Sequence, residues 1–238
     1  MSSGKNVFER ILKLETSANE MVISGKRRAE DYVQLLQTFV WGNTLPDIDW
    51  ALTYERLGMK REYEVASRVL VVPSGDSRLW AVPMLQGITC NKVVAAYRRD
   101  SVQVYVYKED LDVGLKNLIR DPIKGSYVVS FCRTVEADEE NKGKSANVLA
   151  TQNHVGITLL ERLVLGYGHY VTTGEHLDVK CVTLCSGSRL SGGDVPRVDF
   201  DLASGRVYVG YYYPDDCSDL LRSRSVVSFA GEALPNQQ

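Results

Sequence analysis

The chain has 238 residues, 44% hydrophobic and 24% charged, enough to bury a sizeable core in one large domain or one domain with an appendage. Its formal net charge of -2 disfavours a nucleic-acid partner, because such binders gain affinity by neutralising phosphates with a basic excess. No apolar run reaches the length of a membrane span, so no membrane association is expected.

Acidic residues interrupt the early apolar positions of MSSGKNVFERILKLE, which is not the pattern of a signal peptide. The five cysteines are Cys90, Cys132, Cys181, Cys185 and Cys217. An odd count, scattered through strand-like segments, points to free thiols in a reducing compartment. The expected location is the cytoplasm, or that of a host cell for a viral chain.

The first forty residues read as helix. Val7, Ile11, Leu14, Ala18 and Met21 alternate spacings of four and three, and the pattern resumes at Ala29, Tyr32, Leu36 and Phe39. That is a narrow seam, suited to packing along another helix. The slip at Ser24-Gly25 reads either as a stutter in one long helix or as a break between two antiparallel ones. A further helix is expected over Asp47–Leu57, opened by Pro46 and closed by Gly58.

From Val65 onward strand signals dominate. VLVVPSGDSRLWAV reads as two strands around the turn Pro73-Ser74-Gly75-Asp76. SVQVYVY alternates, with Val102, Val104 and Val106 on one face. Lys108–Ile119 is expected to be a short helix. SYVVSFC is apolar on both faces and so a central strand. EADEENKGKSAN, almost free of large apolar groups, is expected to be a mobile loop open to proteolysis.

HVGITLLERLVLGYGHYV carries Val155, Leu159, Leu160, Leu163 and Val164 on one broad face and is expected to lie on the sheet as a helix. Gly166, Gly168 and Gly174 are expected to loosen its end. DVKCVTLC follows as a strand. The last hairpin can be registered: with Leu202–Gly205 as the loop, Asp201 faces Arg206, Phe200 faces Val207, Asp199 faces Tyr208 and Val198 faces Val209. Tyr208 and Tyr212 then share the face of Asp199 and Asp201, while Tyr211 and Tyr213 look inward. The fold class is α+β, with a helical N-terminal segment (1–58) before a mainly antiparallel or mixed sheet with helices on one face (59–238).

The stretch CVTLCSGSRLSGGDVPRVDFD admits several chemistries. On a strand, Cys181 and Cys185 stand roughly 13 Å apart and cannot grip one ion, and His154, His169 and His176 are not spaced as zinc ligands. No metal and no cofactor are expected. Ser188, Arg189 and Gly192 lie in a glycine-rich bend that suits an anion or a partner, but the bend leads into a strand rather than a helix N-terminus. Asp199 and Asp201, roughly 6.5–7 Å apart on one strand face, suit acid–base or metal-assisted work. Glu175, Asp178 and Lys180 have the D-x-K shape of some metal-dependent nucleases. No G-x-S-x-G elbow exists, and nothing local supports Cys132 or Cys217 as a nucleophile. Arg98-Arg99, Arg222, Arg224 and Lys26-Arg27-Arg28 are basic spots that could face an anion if the fold gathers them.

Each catalytic pattern fails on a specific requirement, whereas the seam and the tyrosines suit joining surfaces. The expected function is that of a non-enzymatic interaction protein that self-associates or docks a protein partner through its N-terminal helix and Tyr-rich sheet face. The alternative is an enzyme, a metal-dependent nuclease or a phosphate-substrate hydrolase, using acidic residues of the 175–201 segment.

Overall fold

The computed structural model describes residues 45–70 and 78–231. The N-terminal seam and the turn at Pro73–Asp76 lie outside the described residues. Residues Pro46–Gln238 form one compact unit, and the class is α+β.

Helix α1 (Trp50–Arg56) begins later than its sequence signal, because Asp49 acts as its N-cap and accepts the Leu52 N–H at 2.9 Å. Gly58 takes φ +70° just beyond its end, a left-handed turn that glycine enters at little cost. The chain then starts α2 (Lys60–Ala66), in a stretch with no expected helix.

Strand β1 (Leu79–Met84) leads to α3 (Cys90–Arg99), which was not expected either. Thr89 caps it, and the Asp112 carboxylate accepts the N–H groups of Cys90 at 2.8 Å and Asn91 at 3.1 Å. Cys90, Val93, Val94 and Tyr97 bury one face.

Strand β2 (Gln103–Val106) is followed by turns rather than by the helix expected at Lys108–Ile119. Asp110 accepts the N–H groups of Asp112 and Val113, and Gly114 sits at φ +78°, so local turn chemistry breaks the helical pattern. β3 (Leu115–Asn117) ends that segment.

Strand β4 (Tyr127–Cys132) is central, as its two apolar faces require, between β1 and β10 (Ser228–Gly231). β1 pairs antiparallel from Leu79↔Cys132 to Met84↔Tyr127, and β10 from Ser228↔Ser130 to Gly231↔Tyr127.

The acidic segment after β4 is packed, contrary to expectation. Ala137, Asp138, Asn141 and Ser145 are buried. A 3-10 turn at Glu139–Asn141 and α4 (Ala146–Thr151) give it structure. Its polar side chains serve as partners for buried backbone groups, which hydropathy does not register.

Helix α5 (Leu159–Thr173) is the central rod, packing against β1, α1 and α3. Thr158 and Glu161 form a complete capping box, and Gly174 closes the helix at φ +77°. Val155 lies ahead of the helix and is 39% exposed. Gly166 and Gly168 do not loosen the end. A β-carbon on Gly168 would lie 2.8 Å from both Ile48 Cγ2 and Trp50 Cζ3, so this glycine is where α1 meets α5.

Glu161 is buried beneath its cap role. Its carboxylate holds Arg120 through two bonds of 2.8 and 2.9 Å and accepts the Tyr127 hydroxyl at 2.9 Å, tying α5 to β4 and to the segment after β3.

The remaining strands are β5 (Val182–Leu184), β6 (Ser188–Leu190), β7 (Val195–Asp201), β8 (Arg206–Tyr212) and β9 (Leu221–Arg222). They build a five-stranded mixed sheet, order β2-β8-β7-β5-β9, while β3 and β6 form a two-stranded ribbon. The β7–β8 register has Asp201↔Arg206, Phe200↔Val207, Asp199↔Tyr208 and Val198↔Val209, as read from the sequence. Val207 and Val209 are buried. Tyr211 and Tyr213, expected to look inward, are 45% and 65% exposed, whereas Tyr212 packs against the buried cluster of Ala146, Leu149, Leu184, Val195 and Leu221. Among the described residues no helix is long and apolar enough to cross a membrane.

Candidate functional site

Asp178 sits at φ +57° in the turn before β5, completely buried. Arg162 Nε donates to one of its oxygens at 2.7 Å and Arg224 Nη2 to the other at 2.8 Å, while the Thr183 hydroxyl donates to the first. Burial pushes the carboxyl up, but the two guanidinium groups and Thr183 outweigh it and hold Asp178 below the usual carboxylate range. Arg162 also reaches the Leu177 carbonyl, and Arg224 those of Thr134 and Val135. This is a buried ionic knot between α5, the segment after β4 and the segment after β9.

The knot bears directly on the D-x-K reading. Both Asp178 oxygens are engaged by guanidinium groups, whereas a nuclease metal needs them open. Glu175 and Lys180 are exposed on either side. Asp199 lies within electrostatic reach of Asp178, is ion-paired with Arg197, and is raised by its own burial. Asp201 is turned into its hairpin loop, where it accepts the Ala203 N–H at 3.0 Å. The structure therefore brings Asp178 and Asp199 near each other and leaves Glu175, Lys180 and Asp201 outside.

Glu136, Asp178 and Cys181 have possible ligand atoms within 4.8 Å of one another. The Glu136 carboxylate already accepts the N–H groups of Lys180 and Cys181. Burial, then Asp178, pushes the Cys181 thiol well above its ordinary value, so it stays protonated beside two fixed guanidinium cations. A divalent ion would have to displace those cations, and the set reads as part of the knot. Cys185 is likewise buried and raised by desolvation.

The glycine-rich bend turns inward. Ser188 Oγ accepts the Leu159 N–H at 3.0 Å and donates to Asn117 Oδ1 at 2.8 Å, so it serves the first turn of α5. Arg189 folds back to donate to the carbonyls of Ser186 at 2.9 Å and Ser188 at 2.8 Å, and its half-buried position lowers its pKa by desolvation. Gly192 is exposed in the turn between β6 and β7.

A serine–histidine contact beside this bend had no sequence signal. Ser186 Oγ lies 3.3 Å from His154 Nδ1 and 2.8 Å from Ser223 Oγ. Asn141 Nδ2 donates to the Ser223 carbonyl at 3.0 Å and faces His154 Nε2 at 3.2 Å. That carbonyl fixes the amide orientation, and the Ser225 hydroxyl accepts from the same amide nitrogen at 3.0 Å while lying 3.1 Å from His154 Nε2. Burial lowers the His154 pKa and keeps the ring neutral. The cluster joins the segments around Asn141, His154, Ser186 and Ser223.

The remaining concentration of functional side chains is on the face of the five-stranded sheet that α4 covers only at its Val195–Tyr212 end. The Tyr105 and Tyr208 rings stack at 4.4 Å and 19°. The Arg197 guanidinium lies 4.4 Å over Tyr208 and 5.1 Å from the centre of Tyr212, and Arg206 lies 5.6 Å over Tyr105. Gly210 makes room for this layer: a β-carbon there would stand 2.7 Å from the Tyr208 ring and 3.2 Å from Arg197 Nε. Asp199 steadies Arg197 from the same face. Arginine stacked on tyrosine in this way is rigid yet still presents ring surface to water.

No family model, curated protein or solved structure matches this chain.

The other basic spots do not add to this face as one patch. Arg224 is inside the knot, Arg222 pairs with Glu139, and Arg99 reaches Tyr167 and Asp100. Arg98 reaches the Val104 carbonyl at 3.5 Å. Lys26–Arg28 lie outside the described residues. Tyr105 and Arg197 are the members of the aromatic layer that the sequence reading passed over. Tyr105 pairs with Tyr208 only because β2 joins β8 in parallel, a long-range fact. Arg197 was legible, since it alternates onto the face of Asp199.

Proposed function

We propose that the protein is a non-enzymatic cytoplasmic interaction protein that self-associates or docks a protein partner through its N-terminal seam and its Tyr-rich sheet face. The observation that carries this reading is the layer Tyr105–Tyr208–Arg197–Tyr212, stacked ring on ring and guanidinium on ring, with Tyr105 exposed at its margin. Tyrosine and arginine are the residues most enriched where protein surfaces meet, because they bring large contact area at small ordering cost. The neutral balance of the face, Arg197 and Arg206 against Asp199 and Asp201, suits a protein surface better than a polyanion. The enzyme alternative has less support, since the acidic group at its centre, Asp178, is closed off by two arginines. Five free thiols fit a reducing cytoplasm.

Light scattering on the full chain at tens of micromolar tests the self-association arm. The expected mass exceeds one chain, and it falls on Leu14→Asp in the seam or on the pair Tyr208→Ser and Tyr212→Ser in the face. A chain that is strictly monomeric at every concentration overturns self-association. Phosphodiester turnover with magnesium or manganese that disappears in Asp199→Asn would return the enzyme reading to first place.

A further inference from the structure

The five-stranded sheet has two unlike edges. At one, β9 is covered, because the Gly143 N–H donates to the Leu221 carbonyl at 2.9 Å. At the other, β2 pairs with β8 on one side and with no strand on its outer side among the described residues. The sequence of β2, Gln-Val-Tyr-Val, holds no lysine, no proline and no bulge, the devices that usually blunt an edge.

The direction of the backbone groups follows from one bond. Tyr107 N–H donates to the Val209 carbonyl, so the odd-numbered residues of this strand serve β8. By alternation the N–H and C=O groups of Val104 and Val106 point to the outer edge. Among the described residues, the one group that reaches them is Arg98 Nη2, at 3.5 Å from the Val104 carbonyl, on an exposed side chain able to withdraw.

We propose that β2 is the joint between two copies of this chain, paired antiparallel about a two-fold axis so that the two five-stranded sheets run on as one. This rests on the reading of the protein as one that self-associates, and it names the contact. The strand is self-complementary in hydrogen bonding. With Tyr105 opposite Tyr105 of the second copy, Val104 of each chain faces Val106 of the other, and each such pair exchanges both its N–H and its C=O groups. Tyr105 then occupies a non-hydrogen-bonded pair, where backbones approach to about 4.5 Å and side chains touch most closely.

The side chain at that position fits the role. Tyr105 is 41% exposed and already stacked on Tyr208, so the two copies together align four tyrosine rings across the axis. No charged residue of the strand itself falls at the centre: the residues that meet are Gln103, Val104, Tyr105, Val106 and Tyr107, and each Arg206 stays over the Tyr105 ring of its own chain. A second copy is therefore the occupant that meets each outward backbone group of Val104 and Val106 with its complement.

The test uses the full chain and four measurements. Light scattering at tens of micromolar should give the mass of two copies. Val104→Pro removes an outward N–H without touching the ladder to β8, and Tyr105→Lys places two like charges opposite each other. Each should reduce the mass to one copy with an unchanged circular dichroism spectrum, and its melting temperature should no longer rise with protein concentration. In the unsubstituted chain, exchange of the Val104 and Val106 amides with deuterated water should slow as protein concentration rises.

A dimer that survives both substitutions overturns the joint. If such a dimer is instead dissolved by Leu14→Asp, the seam is the contact and self-association stands without β2. A monomer at all concentrations, or amides already protected in the monomer, also overturns it. Should Val104→Pro fail to fold, Tyr105→Lys and the amide exchange decide alone.

Discussion

Asp178 is one carboxylate facing two buried cations, and that imbalance makes it the residue on which the interior most depends. Its removal would leave Arg162 and Arg224 side by side at 3% and 0% exposure with no counter-charge. Breaking a buried ion pair from one side costs far more than the pair is worth as a whole, typically about 3–5 kcal/mol. Asp178→Asn is expected to lower the unfolding free energy by an amount in that range, read from urea denaturation. A loss below about 1 kcal/mol would show that the guanidinium groups find other partners. The expectation that Asp178 belongs to a D-x-K trio illustrates what residue spacing cannot convey: Arg162 and Arg224 lie far from it in sequence, and only the fold brings them to it.

At the scale of elements, success and failure of the sequence reading divide along one line. The β7–β8 hairpin was legible to the residue because its loop and its alternating faces are both local. The central position of β4 was legible because a strand buried on both sides is apolar on both sides. The helix expected over Lys108–Ile119 failed where Asp110 and Gly114 supplied a competing turn, and α3 was missed although Cys90, Val93, Val94 and Tyr97 keep helical spacing. Gly166 and Gly168 were misread as loosening because the close approach of Tyr97 to the first and of Ile48 and Trp50 to the second leaves no mark near them in the chain. Gly168→Leu is expected to push Ile48 and Trp50 away and to destabilise the protein by about 1–3 kcal/mol, the usual cost of overpacking. An unchanged urea midpoint would mean that α1 repacks at no cost. The candidate site divides in the same way: Tyr208, Tyr212 and Asp199 share a face that alternation reveals, and Tyr105 joins them through a parallel pairing that it does not.

At the scale of the whole molecule, all three histidines titrate low; burial lowers His154, and the other two are depressed further. Burial, helped by Arg224 and Arg162, depresses His169 to about 3, and burial with Arg162 depresses His176 to about 4. His169 packs against Trp80, and His176 is stacked between Tyr170 and Phe200. The unfolded chain protonates both near 6.5, so between 6.5 and 4 it binds protons that the folded chain refuses. Stability is complete above 6.5 and falls as pH drops through this window, by at most about 1.4 kcal/mol per pH unit for each histidine. Urea unfolding measured at intervals from pH 7 to 4.5 should show this decline, and His169→Phe should make it shallower. A flat profile would contradict the burial of both rings.

The parallel pairing of β2 with β8 joins Gln103 to Arg206 and Val106 to Val209. While the chain is being made on a ribosome, β2 emerges with its natural neighbour still unsynthesised. The sheet can close over it only after the hairpin that ends at Tyr212 has cleared the exit tunnel. Throughout that interval the backbone groups that Tyr105 and Tyr107 later turn to β8 have no strand to meet, so the nascent chain must hold β2 in waiting until its C-terminal half arrives.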